Sequence, residues 1–139
     1  MGRTLIGIAL AAVFLSLALL HLYWALGGRS GRTAAVPSVN GKPLFTPSTF
    51  GTVLVAVALL VAAVVIAGVA GWLGALIPAI VFRVMTLGIC LVFLLRAVGN
   101  RRNVGFFQRR TDSAFAYWDL RLYSPLCLLI ALGALVLVM

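Results

Sequence analysis

Residues 100–127 read NRRNVGFFQRRTDSAFAYWDLRLYSPLC, and the whole chain is organised around them. The stretch is the longest polar interruption in an otherwise almost continuously apolar sequence. It carries both acidic residues, Asp112 and Asp119, and five of the ten arginines. Of the 139 residues, 64% are hydrophobic and only 9% are charged. A soluble domain is about half apolar and about a quarter charged. The composition is therefore that of a multi-pass membrane protein, and the length allows one domain over residues 1–139.

Inside the stretch, Asp112 is placed to cap a helix beginning at Ser113. Phe115, Trp118 and Leu122 recur at helical spacing, with Tyr117, Asp119 and Arg121 between them. That pattern suits an amphipathic segment lying at the membrane interface. Ser124–Pro125 then reads as a cap and a first helical residue. Proline lacks a donor N–H and clashes with a preceding helical turn, so the helix from about Ser113 is expected to stop or kink near Ser124, freeing the Arg121 carbonyl. A last span over residues 124–139 rises only about 22 Å from Pro125 on. The hydrocarbon core is about 30 Å thick, so the turns before this span are expected to dip into the membrane edge and carry Asp119 with them.

Working back from the stretch, three longer apolar runs cover residues 78–98, 51–70 and 5–26, with loops over 27–50 and 99–123. The first run exceeds the apolar region of a signal peptide, and no small-x-small cleavage site directly follows it. Tyr23 and Trp24 near its end, and Trp118 further on, are expected interfacial anchors. Thr46–Pro47 reads as cap and first residue of the second span. Ala56, Ala62, Ala63, Ala67, Gly68 and Gly71 offer small surfaces for close helix approach. Arg83 falls inside the third span. A central arginine costs about 3 kcal/mol on the insertion scale, and each Leu, Ile, Val or Phe returns about 0.3 to 0.6. Twelve such residues accompany it, so insertion still wins. Arg83 then either snorkels or serves as an intramembrane charge, while Arg96, nearer the far end, needs no special role. In the loop 27–50, Asn40–Gly41 is a turn signal, but the flanking prolines argue against a regular hairpin. At this length the loop is either mobile or folded over the bundle mouth.

Four spans put both termini on one side. That side has Arg3 and Arg83, and the other has Arg29, Arg32, Lys42, Arg96, Arg101, Arg102, Arg109, Arg110 and Arg121. The positive-inside rule places the basic loops in the cytoplasm and both termini outside. The net charge of +9 then faces anionic lipid headgroups. Nucleic acid is not an expected partner, because no recognition motif is present.

The chemistry-bearing residues are few. Cys90 and Cys127 have neither a redox nor a metal spacing, and their depths in separate helices do not bring them within bridging distance. His21, Asp119 and Ser124 match no nucleophile motif. One histidine, two cysteines and two aspartates are too sparse for a metal site, and a bis-histidine haem would need two copies sharing His21. No metal and no cofactor is expected. Proton-coupled efflux would require a carboxylate clearly inside a span. One constellation remains: His21 closes the first span where Asp119, Arg121 and Tyr123 open the last. A neutral imidazole at a membrane edge needs a partner, and Asp119 is the nearest plausible carboxylate. The four residues read either as a clamp between the first and last helices or as the polar floor of a headgroup-binding pocket.

HLYWALGG at 21–28, GFFQRRT at 105–111 and FAYWDLRLYSPLCL at 115–128 also resemble the signature blocks of domain-of-unknown-function family 3995, a group of small bacterial integral membrane proteins. The resemblance implies four spans and a bacterial source. It implies no activity and no role for any residue.

The expected fold is therefore an all-α, four-helix transmembrane bundle with an interfacial amphipathic segment before the last span, in the bacterial cytoplasmic membrane. The leading functional expectation is a membrane scaffold or a binder of a lipid or other apolar ligand. The alternatives are an intramembrane enzyme acting on a lipid or isoprenoid, with His21 or Asp119 as general acid/base, and an accessory subunit of a larger membrane complex. Membrane lipids are the expected partners, with a membrane-protein partner in the subunit case.

Overall fold

The computed structural model describes residues 1–74, 77–99, 104–108 and 113–139. The expected cap Asp112 and the arginines at 101, 102, 109 and 110 lie outside them.

Among the described residues, four helices are long and apolar enough to cross a membrane: α1 (Gly2–Ala25), α3 (Thr49–Val69), α4 (Ala79–Val98) and a fourth running over Ala114–Val138. The shortest, with 20 residues, rises about 30 Å, enough for the hydrocarbon core. At most a third of any span's most apolar window is buried inside the protein. In water such all-round apolar helices would be unstable alone, so their outer faces belong to lipid.

Two of the helix starts are set by side-chain caps. The second span begins two residues later than expected: Ser48 is the cap, its Oγ accepting the Gly51 N–H at 3.0 Å. The last begins with α5 (Ala114–Trp118), where Ser113 Oγ accepts the Ala116 N–H at 3.1 Å. Between α5 and α6 (Ser124–Val138) lies a π-helical turn, Asp119–Tyr123. The expected stop at Ser124 does not occur. The Ser124 N–H instead reaches back five residues to the Asp119 carbonyl. This wider turn gives room for the Pro125 ring without ending the helix. The last span is consequently 25 residues long, and the expected shortfall against the core thickness disappears.

The core is built from Leu10, Phe14 and Ala18 of α1, Leu59, Ala62, Ala63 and Ile66 of α3, and Ile130 and Leu137 of α6. Small residues let the backbones approach: a Cβ on Gly68 would overlap the Phe82 ring, and one on Gly133 would meet Leu10 at 3.2 Å. Phe14 and Phe93 meet edge to face at 5.5 Å, tying α1 to α4 across the core. Around the bundle α1 packs on α3, α3 on α4, α4 on α6, and α6 back on α1. The Arg3 guanidinium donates to the Leu137 carbonyl, so both termini lie at one end.

At the other end the first loop is folded back over the bundle. A short helix, α2 (Arg32–Ala35), packs on α5, and Arg32 donates to the Pro47 carbonyl at 3.1 Å. Contrary to expectation, strands β1 (Ser38–Val39) and β2 (Lys42–Pro43) form a small hairpin. Asn40 and Gly41 both have positive φ, 51° and 73°, the geometry of the tight turn that matches strand twist. Pro43 is tolerated because it faces Ser38 in a pair that needs no N–H, while the next bond, Leu44 N–H to the Pro37 carbonyl, forms at 2.8 Å.

Candidate functional site

The site grows from one carboxylate. Asp119 is fully buried, with a relative exposure of 0%, at the start of the π-helical turn. An isolated buried charge would be prohibitive. Here both oxygens have donors. Arg96 Nη2 donates to Oδ1 at 2.7 Å. The Gly105 N–H donates to Oδ2 at 2.7 Å and Gln108 Nε2 to the same oxygen at 3.3 Å. Gln108, itself buried, also reaches the Ala116 carbonyl at 3.4 Å.

The local sequence explains how these donors converge. Arg96 stands in the last turn of α4 beside the buried Ala97, so its stem lies along the bundle and its head reaches inward. Gly99 follows with φ 66° and ψ −152°, a conformation that favours glycine. Gly105 returns at φ 88°. A Cβ on Gly99 would overlap the Val104 carbonyl, and one on Gly105 would press on the Gly99 Cα. The two glycines thus let the loop cross itself. The Phe106 N–H donates to the Ala97 carbonyl at 2.9 Å, satisfying a free acceptor at the end of α4.

The π-helical turn does the remaining positioning. Ala116, Asp119, Ser124, Cys127, Ile130, Ala134 and Leu137 are all buried. The step from 119 to 124 is five residues, which would leave a regular α-helix well off its inward face. One wide turn restores the alignment.

The carboxylate's partner is thus Arg96, not His21. Nδ1 of His21 lies 2.7 Å from the Leu17 carbonyl of its own helix, and its ring packs edge-on to Trp24 at 5.1 Å. Among the described residues, no hydrogen bond joins His21 to residues 119–124. Physically, a long guanidinium reaching in from the adjacent α4 is a charged donor, and it outcompetes an imidazole already engaged by its own helix. Arg121 points outward, its Cζ 4.0 Å above the Tyr117 ring. Tyr123 is half-buried, with its ring 6.0 Å from that of Phe115. Of the interfacial aromatics, Tyr23 and Trp118 are exposed, while Trp24 Nε1 donates to the Ser30 carbonyl at 2.8 Å and so ties the first loop to α1.

Arg83 lies thirteen residues from Arg96, toward the opposite end of α4. It is exposed and lines a cleft of about 350 Å³ with Gly68, Pro78 and Phe82. A second cleft of about 160 Å³ lies beside Arg3 and Leu137. Neither is lined by His21 or Asp119. Cys90 and Cys127 are free thiols. Among the described residues, no three histidine, cysteine or carboxylate side chains come together. Arg96 Nη1, Gln108 Oε1 and Ser124 Oγ are buried without a hydrogen-bond partner among the described residues.

Sequence reading missed Arg96, Gly105 and Gln108 as partners of Asp119. The available signal was the glycine at each end of the 99–105 crossing, together with GFFQ itself.

No curated protein and no solved structure matches the chain. A family model does: the one described as protein of unknown function, DUF3995, matches residues 14–134, most of the length, and the chain belongs to that family.

Proposed function

We propose that the protein is a non-catalytic membrane scaffold of the bacterial cytoplasmic membrane. In this reading both termini are extracytoplasmic and the basic loops face the anionic headgroups of the cytoplasmic leaflet. The observation that carries it is the state of Asp119. This is the one acidic side chain among the described residues, and Arg96, Gly105 and Gln108 engage both of its oxygens. A general acid/base must reach its substrate, whereas this group braces a loop against two helices. The clefts near the opposite end do not touch it.

Mass spectrometry of the small molecules that stay with the purified protein tests the scaffold. The expected result is phospholipid only. A non-phospholipid apolar molecule retained at one per chain would replace the scaffold with a ligand binder. For the orientation, a reporter active only in the cytoplasm and fused to Met139 is expected to stay silent, and a bright signal from inserted protein would reverse it.

A further inference from the structure

The turn that leaves α3 opens a cleft at the end of the bundle where the termini lie. α3 closes on Gly71 at φ 82°. The Gly71 N–H donates to the Gly68 carbonyl at 3.0 Å and the Trp72 N–H to the Ala67 carbonyl at 2.9 Å. The Trp72 ring then packs on α1, where a Cβ on Gly7 would lie 3.4 Å from it. The bulky side chain of the turn is thus drawn away from α4. Gly68, Gly71 and Gly74 line one wall of the cleft, and Pro78, Phe82 and Arg83 line the other. Its volume of about 350 Å³ falls within the range of small-molecule sites, about 300–1,000 Å³.

Arg83 is the fifth residue of α4, so its Cα stands about 6 Å inside the start of a helix that matches the hydrocarbon core. Helical side chains lean toward the N-terminus, so the guanidinium reaches back along the cleft toward the level of the lipid phosphates. The chain offers it little. The one acidic side chain among the described residues, Asp119, is held by Arg96 at the other end of α4. The Ala67 and Gly68 carbonyls are taken by the turn itself. Among the described residues no hydrogen bond engages the Arg83 guanidinium. A cation at the membrane edge, lining an open cleft without a counter-charge among those residues, calls for an anion. Val69, Ile77 and Phe82 add apolar surface beside it, which suits an anion that carries a hydrocarbon tail.

We propose that this cleft holds the phosphate of one phospholipid, with Arg83 donating to the phosphate oxygens and Val69, Ile77 and Phe82 receiving the first part of an acyl chain. The site goes beyond the scaffold reading and does not depend on which side of the membrane this end faces.

The test is native mass spectrometry of the full chain in detergent, supplied with phosphatidylglycerol or with diacylglycerol of the same acyl chains. The unaltered protein is expected to retain one phosphatidylglycerol per chain and no diacylglycerol. Arg83→Gln is expected to lower that retention about tenfold, the loss of a charge-assisted hydrogen bond. Its helix content by circular dichroism is expected to stay unchanged, because the residue is exposed. Ala79→Leu keeps the arginine, adds bulk to the cleft lining, and is expected to lower retention as well. Arg29→Gln, an exposed arginine at the other end of the bundle, is expected to leave it unchanged. Retention that survives Arg83→Gln or Ala79→Leu, or falls equally in Arg29→Gln, would overturn the site. Equal retention of diacylglycerol would overturn the role of the phosphate. Excess inorganic phosphate is expected to leave the lipid bound, and displacement would assign the cleft to free phosphate and overturn the lipid.

Discussion

Arg96 Nη2 and Asp119 Oδ1 stand 2.7 Å apart, joining the last turn of α4 to the π-helical turn of the fourth span. The partners are unequal: the arginine side chain is 33% exposed and the aspartate 0%. Removing one member of a buried pair costs about 3–5 kcal/mol because the other is left uncompensated. Arg96→Met strands a fully buried carboxylate and is expected to fall in that range. Asp119→Asn leaves a guanidinium that can reach polar surroundings, and is expected to cost less. Thermal unfolding in detergent measures both, and an equal or reversed order would contradict the pairing as described.

His21→Leu provides the contrast. Among the described residues the imidazole's one hydrogen bond is to its own helix, so the loss is expected to stay within about 1 kcal/mol, the net worth of an ordinary hydrogen bond. A loss as large as that of Arg96→Met in the same unfolding experiment would place His21 in the carboxylate's network after all.

The four spans were legible because hydropathy sums over some twenty residues and tolerates a stray Arg83 or Arg96. The start of the fourth was not. Asp119 and Arg121 look like interface, and the five-residue step to Ser124 fits no regular helix, so the sequence reads as a break where the helix merely widens. The partner of Asp119 was hidden for a different reason. A lone arginine at a helix end has an ordinary explanation, and a contact spanning 23 residues leaves no local spacing to read. The hairpin was not legible because Pro43 argues against a strand until its register is known, and only the register shows that its missing N–H is not needed.

Gly99→Ala tests the loop crossing. Its φ of 66° with ψ −152° lies in a region held almost exclusively by glycine and costs another residue about 1–3 kcal/mol, and the new methyl would overlap the Val104 carbonyl. Limited proteolysis is expected to cut faster within residues 99–113. Gly88→Ala is the control, since a Cβ there meets open space and alanine gains about 1 kcal/mol of helix propensity over glycine. Identical cleavage in the two variants would remove Gly99 from its assigned role.

Deleting Leu122 tests the π-helical turn. The residue is 48% exposed, and a π-turn accommodates one residue beyond the α-helical count. In a Pro125→Ala background, which restores the missing N–H, the deletion can close the turn to regular helix while Asp119 stays inward. Deleting Leu129 (65% exposed) in the same background must instead rotate Asp119 and everything before it by about 100° relative to Ile130, Ala134 and Leu137. The Leu122 deletion is expected to have the higher melting temperature, and the opposite order would show that the wide turn is not what aligns the buried face.

Amide hydrogen exchange at Gly105 bears most directly on the bracing of the loop by Asp119. Its N–H donates to Asp119 Oδ2 at 2.7 Å, so exchange in the unaltered protein is expected to be as slow as in the last turn of α4. Asp119→Ala removes that acceptor and is expected to make Gly105 exchange at least about tenfold faster, with the membrane-spanning amides of α1 and α3 unchanged. A Gly105 amide that already exchanges freely in the unaltered protein, or stays equally protected in Asp119→Ala, would contradict the bracing role.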